Sequence, residues 1–182
     1  MYALLILDMQ VGLLHGPDKP RDGEALLATL NKLLDNARSA GAPIFLARHI
    51  GAPGSPIEAA SPLTQLVPEL VLRGDEVIFE KSRPNAFAGT ALADQLQALG
   101  VQGVVIAGMK TQYCVDSTCR AARDIGFDAV LIADGHTCSD TPALKAEAIV
   151  AHHNGTLAGP FCRVIPAEKW CFQALSTDRP GS

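Results

Sequence analysis

Six short apolar runs recur along the chain, and segments with helical periodicity fill most of the gaps between them. The runs are "YALLILD" (2–8), "APIFLAR" (42–48), "DEVIFEK" (75–81), "VQGVVIAG" (101–108), "FDAVLIAD" (127–134) and "FCRVIP" (161–166). Their continuous apolar character is the pattern of strands covered on both faces, which requires helices above and below a sheet. Leucines at helical spacing mark residues 23–41, where Gly41 is a natural stop. Residues 89–100, 113–126 and 141–154 read as further helices, and the Pro- and Gly-bearing stretch before residue 75 as loop with one short helix. Strands alternating with helices predict an α/β fold: a doubly wound three-layer sandwich on a mainly parallel six-stranded sheet. No repeat or linker interrupts the 182 residues, so the whole chain is expected to be one domain, long enough to bury a core without staples.

Composition removes several function classes. A net charge of −4 offers no electrostatic footprint for nucleic acid or an anionic membrane, and no apolar run approaches the roughly 20 residues of a membrane span. The chain starts directly on an apolar run with no basic segment before it, so no signal peptide is expected. Five cysteines without a C-x-x-C pair argue against a disulfide framework and for reduced thiols in a cytoplasmic protein. The expected partner is a small molecule.

In open α/β sheets, ligands bind beyond the carboxyl ends of the strands, near the point where strand order reverses. The polar residues at those ends are few. Asp8 ends the first run, Arg48 and His49 the second, Lys81 the third and Asp134 the fifth, while "KTQYC" (110–114) follows the fourth. Each has an ordinary role open to it: Asp8 can cap a turn, Lys81 can be solvated, and Cys114 can pack. Together they make chemistry. A thiol at the first turn of a helix, beside a cation, is a candidate nucleophile, and a neighbouring carboxylate can take its proton and return it to a leaving amine. Two other classes stay open, a binding module on the same fold and a thiol redox protein.

Four segments resemble the isochorismatase-like cysteine hydrolase family: "ALLILDMQVG", "FEKSRPNAFAGTALADQLQALGV", "VVIAGMKTQYCVDSTCRAARDIGFDAVLIAD" and "AIVAHHNGTLAGPFCRVIP". The resemblance implies that Cys114 is the nucleophile, Asp8 the general base and acid, and Lys81 the cation of a triad. It also implies a cis peptide at Met109-Lys110 and an oxyanion hole from the backbone N–H groups of Lys110 and Cys114. Family isochorismatases lack the cysteine, so Cys114 points to the amide-hydrolysing branch, related to N-carbamoylsarcosine amidase and nicotinamidase. A hydrolase of another bond, a vinyl ether or cyclic amide, is the alternative. Family members commonly form homodimers or homotetramers.

Gln10, His49 and Gln112 are further candidates for substrate contact, and Thr111 for capping the helix that carries Cys114. Cys119, Cys138, Cys162 and Cys171 read as packing or surface residues, Arg120 as half of a helix-face ion pair, and Trp170 as a tail anchor. His152 and His153 are adjacent and so point apart, unlike a metal-binding pair. The nicotinamidase branch carries a metal site after its second strand. Here residues 46–63 offer only His49 and Glu58, with Arg48 alongside, so neither a metal nor another cofactor is expected.

Overall fold

Residues 1–173 are described by a computed structural model. Six strands, β1 (Tyr2–Leu7), β2 (Ile44–His49), β3 (Val77–Lys81), β4 (Gly103–Met109), β5 (Asp128–Thr137) and β6 (Arg163–Ile165), form one sheet in the order β3-β2-β1-β4-β5-β6. Every neighbouring pair is parallel. The helices are α1 (Val11–Leu14), α2 (Gly23–Ser39), α3 (Leu92–Ala98), α4 (Asp116–Asp124) and α5 (Ala146–Leu157). The chain starts in the middle of the sheet, builds outward to β3, then returns to add β4 beside β1. The strand order therefore reverses between β1 and β4, and the crevice for a ligand opens at their carboxyl ends.

The period-2 geometry of β1 divides the core. Ala3, Leu5 and Leu7 face a cluster with Leu92 and Leu96 of α3 and Cys119 and Ala122 of α4. Leu4 and Ile6 face the opposite cluster, with Leu26, Leu30, Leu33 and Leu34 of α2. Each such leucine, fully buried, contributes about 1.5–3 kcal/mol of transfer free energy. Among the described residues, no helix is long and apolar enough to cross a membrane.

Element boundaries differ from the sequence reading where side chains compete for backbone groups. α3 starts at Leu92 rather than 89, because Gly89 sits at φ 72° and Thr90 Oγ1 donates to the Ala86 carbonyl while accepting from the Leu92 N–H. α5 starts at Ala146 rather than 141, because Asp140 accepts the Ala146 N–H and Thr141 closes a turn with Leu144. β5 runs three residues past its expected end. Between Ile106 and Gly108 of β4 the facing residue of β5 jumps from Leu131 to His136, a bulge of extra β5 residues that places His136 opposite Gly108 and Thr137 opposite Met109.

At that bulge the two central strands come together closely. Gly108 has φ 117°, and a Cβ there would run into the Leu7 carbonyl oxygen and amide nitrogen. Both the conformation and the space require glycine. Gly108→Ala is expected to cost about 2–4 kcal/mol of unfolding free energy in urea titration; a loss below about 1 kcal/mol would contradict this account of the β1–β4 approach.

Candidate active site

Asp8 leaves β1 in the left-handed region at φ 53°, which an aspartate tolerates better than most residues. Its N–H donates to the Ala47 carbonyl at 3.0 Å, and its carbonyl accepts from the Gln10 N–H at 2.8 Å. The carboxylate is buried at the crevice floor. Lys81, the last residue of β3, reaches past the end of β2 to meet it. Lys81 Nζ lies 2.8 Å from Asp8 Oδ2, 3.1 Å from Cys114 Sγ, 3.2 Å from His49 Nδ1 and 3.2 Å from the Arg83 carbonyl. An ammonium has three protons. Four groups therefore compete for those protons, with the Asp8 carboxylate at the shortest distance and as the charged partner.

Cys114 sits in a π-helical turn, Thr111–Val115, that runs directly into α4. The wide turn is closed by the Val115 N–H donating to the Lys110 carbonyl at 3.3 Å. The peptide before the turn, Met109-Lys110, is cis. Position at the start of a helix and beside a cation predicts a lowered thiol pKa, and the structure corrects this. Burial, then the Asp8 charge, push the Cys114 thiol up to about 12, although Lys81 opposes them. Burial likewise raises Asp8 against the pull of Lys81, and burial followed by Lys81 lowers His49. All three shifts disfavour the charged form of the group, and at about 12 the Cys114 thiol rests protonated.

These groups open onto a cleft of about 210 Å³ lined by Asp8, Leu13, His49, Ile57, Pro84, Lys110, Tyr113 and Cys114. Its walls are largely apolar and its floor holds the titratable cluster, the usual character of a small-molecule site. Leu13 of α1, Tyr113 of the π turn and the loop residues Ile57 and Pro84 were not singled out by sequence, since their approach to the cleft depends on the fold. A larger cavity of about 400 Å³ on another side of β5 contains none of the cluster.

Two expected substrate contacts lie elsewhere. Gln10 is fully buried, with Nε2 donating to the His49 and Thr64 carbonyls and Oε1 accepting from the His49 N–H. It bolts the exit of β1 to that of β2, with both amide protons spent on the fold and no surface exposed to a ligand. Gln112 is half-buried outside the cleft lining. Thr111 does not cap: no side chain caps the turn, and the Thr111 hydroxyl lies 2.9 Å from His136 Nδ1 instead. Arg120 pairs with Asp116 on α4 and covers the Phe161 ring at 4.1 Å. Cys119, Cys138 and Cys162 are buried and Cys171 is exposed. The rings of His152 and His153 stand edge to face, with His153 Nδ1 at the Ile149 carbonyl. Trp170 packs edge-on against Tyr2 at 5.2 Å, anchoring the tail to the body.

Ligand atoms of Asp8, His49 and Cys114 lie within 4.8 Å of one another, a trio that residues 46–63 alone do not reveal because its members come from three strand ends. Lys81 Nζ stands among them at 2.8–3.2 Å from each. A tethered cation already occupies the position an ion would need, so these residues do not fit a metal.

The isochorismatase domain family matches residues 2–168, nearly all of the described chain. The chain belongs to the isochorismatase family of hydrolases. It is 31% identical to streptothricin hydrolase of Streptomyces noursei over 141 residues, which is 78% of the chain but only 51% of that protein, so it spans about half the length of this relative. A shorter match, 33% over 70 residues (38% of the chain and 29% of the relative), is to ureidoacrylate amidohydrolase of Acinetobacter baylyi. The crystal structure of an isochorismatase from Pseudomonas putida KT2440 superimposes with a TM-score of 0.84 at 31% identity, covering 92% of this chain and 88% of that one.

The protonated state of the thiol is directly measurable. The difference in thiolate absorbance between wild type and Cys114→Ala is expected to be flat from pH 6 to 9 and to rise only in strongly alkaline solution, because burial holds the thiol pKa up at about 12. A thiolate signal from Cys114 at pH 7 would show that Lys81 and the turn outweigh burial.

Proposed function

We propose that the chain is a cysteine hydrolase that cleaves a C–N bond of a small amide or carbamoyl (ureido) compound through a thioester intermediate. The observation that carries this reading is the buried Lys81 ammonium, within hydrogen-bond or ion-pair distance of both Asp8 and Cys114 at the floor of one cleft. Because the thiol is protonated at rest, attack and proton transfer belong together. Cys114 Sγ adds to the substrate carbonyl carbon as its proton passes to Asp8, whose raised pKa makes it a stronger base than a surface aspartate. Lys81 keeps the carboxylate charged before the transfer and holds the sulfur in place.

The backbone N–H groups of Lys110 and Cys114, two residues that line the cleft, are assigned to the developing oxyanion. One donor so placed is typically worth about 3–4 kcal/mol in the transition state. The tetrahedral intermediate collapses by breaking the C–N bond as Asp8 returns its proton to the departing amine. Water then adds to the thioester, giving its proton to Asp8, and the carboxyl product leaves with the thiol restored. His49 lines the cleft and is the remaining candidate for a polar substrate contact. The apolar walls and modest volume suit a small acyl group, and the match to an amidohydrolase supports the C–N bond.

Ammonia release from a panel of small amides and ureido compounds tests the reading. At least one compound is expected to be turned over, with the rate falling more than about a thousandfold in Cys114→Ala and holding within about threefold in Cys119→Ala. Exhaustive chelation should leave the rate unchanged. Substantial turnover by folded Cys114→Ala, or loss with chelator and return with zinc, would defeat the mechanism.

A further inference from the structure

Two buried polar groups behind the Cys114 turn, Thr111 and His136, and the half-buried Asn154 take no part in the chemistry above. Thr111 of the turn, His136 of β5 and Asn154 of α5 form a single line of hydrogen bonds. Thr111 Oγ1 lies 2.9 Å from His136 Nδ1, and His136 Nε2 lies 2.9 Å from Asn154 Oδ1. Asn154 Nδ2 donates to the Ala133 carbonyl at 3.0 Å, which turns the amide so that its oxygen faces the ring. An amide oxygen only accepts, so Nε2 carries the imidazole proton and Nδ1 is left to accept from the Thr111 hydroxyl. The direction of the whole line follows from one anchored amide. Burial also holds the His136 pKa down, which keeps the ring neutral.

The backbone puts this line where it matters. The β5 bulge sets His136 opposite Gly108, two residues before Lys110. Thr111 is the first residue of the π turn, bonded through its peptide to Lys110 and three residues before Cys114. It is fully buried and His136 is only 4% exposed, so the bond between them lies in a low-dielectric setting, while the Asn154 end of the line borders the cavity of about 400 Å³. Were the line broken, the turn would keep its hydrophobic contacts but lose the bond that fixes its first side chain.

We infer that His136, oriented by Asn154, is a positioning residue for acyl transfer: by accepting the Thr111 hydroxyl it sets the turn that aims the Lys110 and Cys114 N–H groups at the oxyanion. This rests on the oxyanion role proposed above. The line touches neither the Cys114 sulfur nor the walls formed by Leu13, Ile57 and Pro84, so it acts on the transition state and leaves ground-state binding alone. Donors must stand about 2.7–3.1 Å from the oxyanion, and a misplacement of about 1 Å costs on the order of a hundredfold in rate.

p-Nitrophenyl acetate tests this with a chromogenic leaving group: Cys114 Sγ bonds the acetyl carbon, p-nitrophenolate departs, and water hydrolyses the thioester. Iodoacetamide alkylation of Cys114, a displacement at a saturated carbon that uses no oxyanion hole, is the control. Thr111→Val, which keeps the side-chain shape, and His136→Leu are expected to lower kcat about tenfold to a hundredfold, with KM and the alkylation rate within about threefold. Thr111→Ser, which restores the hydroxyl, and His136→Asn, whose oxygen replaces the Nδ1 acceptor, should recover most of the rate. A folded Thr111→Val protein with kcat within about twofold of wild type would overturn the inference, as would alkylation that slows in step with kcat. Wild-type release matched by Cys114→Ala would overturn the nucleophile assignment and this inference with it. Release that depends on Cys114 but not on Thr111 or His136 would overturn the inference alone.

Discussion

A lysine ammonium with no exposed side-chain surface is costly to bury, and the arrangement around Lys81 is what makes it tolerable. Its charge is met by Asp8, and the Cys114 sulfur, the His49 ring and the Arg83 carbonyl compete with the carboxylate for its protons. Those partners come from the ends of β1, β2 and β4 and from the segment just beyond β3, so one ion pair ties together the whole carboxyl edge of the left half of the sheet and its switch point. Removing either charge would leave the other buried and unpaired, which typically costs about 3–5 kcal/mol. The same contact that completes the edge collects the reactive groups.

The electrostatics of that cluster decide the order of the proposed chemistry. One cation shared between a carboxylate and a thiol can fully compensate only one negative charge. Asp8 holds it, and a thiolate within 4.8 Å in a buried site would be a second anion beside the first. The proton therefore stays on sulfur until a carbonyl arrives to take the developing charge onto the backbone N–H groups. Nucleophile activation and oxyanion stabilisation become parts of one step, which is why the aim of the turn before Cys114 carries so much weight in this account.

Strand existence and the site's position were legible because they follow from local chemistry. A strand buried on both faces must be apolar throughout, and a polar residue at its end is conspicuous. Asp8, Lys81 and Cys114 stand out for that reason, and the helical leucines of α2 for the matching one. What depends on register was not legible. Nothing in "DAVLIADGHT" (128–137) announces a bulge, so His136 falls beyond the expected end of β5 and its link to Thr111 is invisible. Gln10 reads as a ligand contact because a buried glutamine with all its hydrogen bonds made by the fold looks, in sequence, like one waiting for substrate. Thr111 reads as a cap because threonine at a helix start usually is one; the π turn and the imidazole beside it claim the hydroxyl instead. Helix position and a neighbouring cation can be read from sequence, whereas the burial that raises the Cys114 thiol cannot.

The central claim is that Asp8, Lys81 and Cys114 act as one unit organised by the ammonium, and a double-mutant cycle on kcat/KM tests it most directly. Asp8→Asn and Lys81→Met keep the side-chain volumes, and thermal unfolding verifies that each protein is folded. Each single change is expected to lower the rate severely, and the double variant to be little worse than either, because a unit that has lost one member has little left to lose. Losses that multiply in the double variant would contradict the account and show the carboxylate and the ammonium to be independent contributors.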